Sequence, residues 1–268
     1  CYRRVRCADR PRLKPWIPNG SFLMLMDHCS TERALAKPRL NLPEIESSLR
    51  AVQRDFARIN ATLDSPRDPL RDEVLDNLLA GYEYVDSLLA ADLDPFALGN
   101  SKHLLQLNYL VLCGTRDLAY EECARHVRET EQRYYDDTNP GGARAFMNAM
   151  ADQRGKSVWR RAAGAYIQML SAPQLFIEGN HRTGALVMSC LLCRNGHPPF
   201  VLTVGNAKAY FDPSSVVKGC RKRSFHALMA IPKLRKCLAK LIEKEADRRF
   251  LITQKRTFSV APPKGAVE

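Results

Sequence analysis

Residues Ala185–Cys193 form an apolar run broken only by Ser189, and the segment Phe176-Ile177-Glu178-Gly179-Asn180-His181-Arg182-Thr183 leads straight into it. A stretch this apolar makes a helix that is buried on nearly every side, so the rest of the chain has to cover it. Its leader is polar and contains a glycine. A helix N-terminus presents several unpaired backbone N–H groups and roughly half a positive charge. Arg182 in the first turn adds a cation, and together they make an anion site, most often for phosphate. The Glu178 carboxylate is out of place in a plain phosphate cradle unless a divalent cation sits between the two.

Apolar spacing around this segment is helical. Asn41, ahead of Pro43 and Glu44, is placed as a helix N-cap, and Leu49, Val52, Phe56 and Ile59 recur at helical intervals. A turn at Ser65–Asp68 leads to a second helix carrying Val74, Leu75, Leu78, Leu79, Tyr82 and Tyr84, which Pro95 ends. A third begins after Asn100, and Leu118–Tyr134 reads as a charged amphipathic helix. Asp136–Gly142 is the strongest turn cluster. Helical stretches follow over Ala143–Ala151 and Val158–Ser171. Gly196 caps the apolar helix, Phe200–Val204 is extended, and basic helices including Phe225–Ala246 close the fold. The spacing predicts a mainly α protein with at most a short hairpin and a brief strand. Residues 1–40 read as a basic arm, 41–220 as the helical domain, and 221–268 as basic helices and a polar tail.

The leader resembles the signature of the Fic (Fic/Doc) transferases, His-x-Phe-x-Asp/Glu-Gly-Asn-Gly/Lys-Arg, over Gln174–Arg182, and the likeness extends over roughly residues 75–215. It implies a Fic-like helical bundle with a β-hairpin flap ahead of the motif loop, near Asp136–Gly142. It also implies ATP or another nucleotide as donor, Mg²⁺, and transfer of AMP or another phosphate-linked group to an acceptor, a protein in most such cases (AMPylation). Glu178 corresponds to the magnesium ligand, Gly179 to the close backbone approach, Asn180 to an α-phosphate donor and Arg182 to the clamp on the outer phosphate. His181 stands at the Gly/Lys position that faces the phosphates, where it would stay protonated as a cation or, less simply, act as a base. Phe176 corresponds to the aromatic anchor of the loop.

Gln174 stands where the family has its general-base histidine, and a neutral amide takes up no proton at pH 7. Loss of such a base costs about 10²–10⁴ in rate. Two readings stay open: a transferase whose acceptor is already ionised, and an inactive nucleotide- or phosphate-binding regulatory protein. The family's second arginine is replaced by Ala185, and the Ser/Thr-x-x-x-Glu-Gly/Asn inhibitory helix is missing, so the clamp of self-inhibited members is not expected. Lys208, Tyr210 and Phe211 either line a nucleotide base or simply pack.

Composition bounds these readings. The 41 basic and 29 acidic residues give a net charge of +12, which favours anionic partners. Nucleic acid is one possibility, with no recognisable motif behind it. Nine irregularly spaced cysteines, several in apolar context like Cys113, Cys190 and Cys193, suggest buried reduced thiols and a cytoplasmic protein. There is no run of transmembrane length, no P-loop, no Rossmann fingerprint, no Ser-His-Asp order and no zinc pattern.

Overall fold

A computed structural model describes residues 37–115, 121–222 and 224–252. The expected arm over residues 1–40 lies almost wholly outside them, as does the polar tail. Among the described residues ten α-helices account for most of the chain: α1 Leu42–Arg54, α2 Phe56–Asn60, α3 Asp72–Ala90, α4 Lys102–Cys113, α5 Glu121–Tyr135, α6 Ala143–Ala151, α7 Val158–Leu170, α8 Asn180–Arg194, α9 Ala207–Gly219 and α10 Phe225–Lys244. Two short strands, β1 Arg39–Leu40 and β2 Leu251–Ile252, pair antiparallel. The protein is mainly α.

Helix α8 is the centre. Leu186, Val187, Met188, Cys190, Leu191, Leu192 and Cys193 are all essentially inaccessible to solvent. Helix α7 packs along it, α3 and α4 cover another side, and α10 lies on α7. The α7–α8 contact is close because Gly184 has no side chain: a Cβ there would come within 2.6 Å of the Tyr166 ring. Helix α8 ends as expected at Gly196 (φ 77°), whose N–H reaches Cys193 O while His197 N–H reaches Leu192 O. This is the paired arrangement that satisfies orphan carbonyls at a left-handed cap.

Three expectations are corrected. Asp136–Gly142 turns the chain between α5 and α6 and makes no hairpin. Its polar groups are satisfied within the turn, Asp136 Oδ1 accepting from Thr138 N (2.8 Å) and Asn139 Oδ1 from Gly141 N (2.9 Å), and the flanking residues keep their helical bonds. The extended run after Phe200 is not a strand either. Its carbonyls accept from side chains instead: Phe200 O from Tyr82 Oη, Val201 O from Asn206 Nδ2 and Leu202 O from Ser48 Oγ, all at 2.8–2.9 Å. Last, Cys113 is not a reduced thiol. The end of α4 and the start of α5 bring it to a Cα–Cα separation of 6.1 Å from Cys123, and the two are disulfide-bonded. Cys190 and Cys193 are buried thiols, and burial raises both their pKa values.

Candidate functional site

The loop ahead of α8 is fastened at both ends. Ala172 N–H donates to Cys220 O and Ala172 O accepts from Lys222 N, which ties the loop's start to the segment leading into α10. Leu175 and Phe176 are fully buried, and the Phe176 ring stacks on Tyr134 with centroids 5.4 Å apart. At the other end Gly179 adopts φ 73°, the left-handed conformation glycine tolerates at no steric cost. A Cβ at Gly179 would lie 2.9 Å from Asn108 Nδ2 and 3.3 Å from Leu112.

Asn180 holds the turn from within. Its Oδ1 accepts from Phe176 N (3.0 Å), and its Nδ2 donates to Phe176 O (2.9 Å) and to Gln174 Oε1 (3.2 Å). The side chain is 4% exposed, so the amide expected on an α-phosphate is spent on the loop. Gln174 is likewise engaged, its Nε2 donating to Leu170 O (3.2 Å) and its backbone oxygen accepting from Arg133 Nη2 (3.1 Å). Helix α4 supplies the seat. Asn108, wholly buried, donates to Glu178 O (2.9 Å) and Thr183 Oγ1 (3.1 Å), and Arg182 Nη1 donates to Val111 O (2.7 Å). Val111 O belongs to the last turn of α4, where carbonyls lack helical partners and a cation is favoured. Burial lowers the Arg182 pKa, and Glu178 partly offsets this.

His181 stands otherwise than the sequence suggested. Its Nδ1 is 2.8 Å from Tyr166 Oη and its Nε2 is 3.4 Å from Arg67 Nη1. Since a guanidinium only donates, Nε2 accepts and the proton sits on Nδ1. Burial first, then Arg67, Lys218 and Arg182, push its pKa down to about 3. The expected cation is therefore a neutral imidazole at pH 7, because the site desolvates it among other positive charges. Arg67 was not expected at all. It donates to Phe211 O, Ser214 Oγ and Ser215 Oγ, so it binds α9 to the motif helix. Lys208 pairs with Asp212 (2.6 Å), and Tyr210 is buried with its Oη 3.2 Å from His181 O, so of the two readings open to this group, packing α9 in place is the one these contacts match.

No family model and no curated protein matches this chain. What the site can do rests on its own residues. The N-cap of helix α8 is Gly179, which has no side chain to cap the first N–H groups. Glu178 is exposed beside them. Among the described residues no three His, Cys, Asp or Glu side chains gather to hold a metal ion. One carboxylate suffices for Mg²⁺ only when a ligand's phosphate oxygens complete the shell, which is this ion's usual mode. A cavity of about 510 Å³ lies to one side, lined by the 137–140 turn, α6, Gln168, Lys222 and Ile231. Lys222 Nζ donates from that wall to Pro173 O (2.7 Å), and burial with Arg133 nearby pushes its pKa down to about 8.

Proposed function

We propose that the chain is a Fic-like nucleotide-binding protein, with residues 41–220 as the domain and the N-terminus of α8 as the phosphate site. The observation that carries this reading is the combination at 178–182: an exposed carboxylate, a left-handed glycine and an α-helix start that no side chain caps. Backbone N–H groups at a helix start favour an anion. Glu178, with phosphate oxygens, would hold Mg²⁺, which supplies charge neutralisation between phosphates. Asn180 and Arg182 keep the loop in shape rather than reach for ligand, as their hydrogen bonds support.

The groups at the position of the family's histidine supply no strong base. Gln174 is an amide, and His181 has both ring nitrogens engaged and a pKa pushed down to about 3, so it holds a proton poorly. Binding without general-base chemistry is therefore the reading the geometry favours. The transferase reading keeps one specific support, the exposed Glu178, because a metal ion held there would also neutralise charge during transfer. Its acceptor would have to be ionised at neutral pH, since phosphoryl-type transfer rests on positioning and charge neutralisation.

Calorimetric titration with ATP, GTP, UTP and CTP, each with and without Mg²⁺, tests this. Magnesium-dependent binding that Glu178→Ala abolishes is the expected result. No binding of any nucleotide by the wild-type chain refutes the reading. Label transfer from the bound nucleotide to protein, lost in Glu178→Ala, would promote the transferase reading over simple binding.

A further inference from the structure

Helix α10 exposes three large apolar side chains near its start: Phe225 at 81%, Leu228 at 66% and Met229 at 61%. They stand at i, i+3 and i+4, so they share one face. Nine large apolar side chains are exposed among the described residues, and three of them fall within these five positions. Surface apolar residues are ordinarily scattered singly, and a cluster marks an interaction site. The inward side of α10 is already satisfied, with Ala227, Leu238, Ala239 and Ile242 buried as the helix packs on α7 and α9. The outer three are left exposed.

The outer face continues along the helix as a cationic one. Lys233, Lys236 and Lys240 are exposed, and positions 225, 229, 232, 236 and 240 trace a single helical stripe. From Pro213 to Ile242 there is no aspartate or glutamate, while Lys218, Arg221, Lys222, Arg223, Lys233, Arg235, Lys236 and Lys240 all fall in that span. Apolar residues beside cations, with acidic ones left out, complement an anionic surface that has an apolar interior.

We propose that α10 lies in the plane of an anionic membrane, with Phe225, Leu228 and Met229 entering the boundary between headgroups and acyl chains and Lys233, Lys236 and Lys240 resting on lipid headgroups. A bilayer rewards both halves of the stripe. A nucleic acid would reward the lysines and stack on the aromatic ring, but it leaves Leu228 and Met229 in water. No described helix is long and apolar enough to cross a membrane, so α10 docks on the surface.

Vesicle flotation of the full chain decides the matter. Phosphatidylcholine vesicles containing phosphatidylserine float the protein, and phosphatidylcholine alone binds it about tenfold or more weakly. The triple variant Phe225→Ser, Leu228→Ser, Met229→Ser loses about 10²-fold in vesicle affinity, and so does Lys233→Glu, Lys236→Glu, Lys240→Glu. These side chains are exposed, so both variants melt like the wild type. Leu98→Ser, at another fully exposed apolar residue, changes nothing. Three results overturn the proposal: no flotation at low salt, RNA binding that survives the triple serine variant in place of vesicle binding, or a dimer abolished by that variant with no vesicle binding.

Discussion

Gly179 and Gly99 form a natural pair of controls. Both have positive φ, 73° and 82°, but only Gly179 has neighbours where a Cβ would go. Gly99→Ala therefore costs the left-handed backbone penalty alone, about 1–2 kcal/mol. Gly179→Ala costs that plus a clash with buried Asn108, and urea unfolding is expected to show it at least about 1 kcal/mol less stable than Gly99→Ala. His181 gives a pH signature. It takes a proton near pH 6.5 when unfolded but only near 3 when folded. Between these values the unfolded state holds more protons, so stability falls as pH drops from about 6.5 toward 3. His181→Gln, which still accepts from Arg67 and donates to Tyr166, should flatten that decline in melting temperature between pH 7 and 4. The loop residues were legible because Glu-Gly-Asn-x-Arg is contiguous. Arg67 was not, because a Ser-Pro-Arg-Asp turn carries no sign of a histidine 114 residues away.

At the level of elements, α4 matters more to the site than its sequence suggests. Its apolar periodicity reads as plain core, but one buried amide, Asn108, holds both Glu178 O and Thr183 Oγ1. Replacing it by alanine orphans those groups and opens a small cavity. The expected cost is about 2–3 kcal/mol, with faster amide hydrogen exchange across 176–183 than in α3 or α7. Most helix positions came through in the sequence, since apolar spacing reports which face is covered, but α9, with Pro213 inside it, did not. The Asp136–Gly142 turn shows the limit of that reading. Its residues specify a chain reversal, and nothing in them distinguishes a reversal between strands from one between helices. The Phe200–Leu202 segment fails in the same way: extended backbone was visible, but the side chains that satisfy it, Tyr82 and Ser48, are 118 and 154 residues away.

For the whole molecule, the described residues close on themselves. β1 pairs with β2, Asn41 N–H donates to Phe250 O, and the Arg39–Asp86 ion pair pins β1 to α3. Asp86 is 5% exposed and also accepts from Leu40 N (2.8 Å), whereas the Arg39 side chain is 45% exposed. Arg39→Ala strands a buried carboxylate, and Asp86→Ala leaves a cation that water can reach. Arg39→Ala is thus expected to be costly, about 2–3 kcal/mol by thermal unfolding, and the double variant to recover part of the loss. The strand pairing has a topological corollary. Among the described residues, the segments around 39–41 and 250–252 hydrogen-bond to each other, so the module they bound has both its edges at one spot. Such a module can be spliced whole into a surface loop of another protein, or reopened elsewhere after its ends are joined, without disturbing α8 or the loop that precedes it.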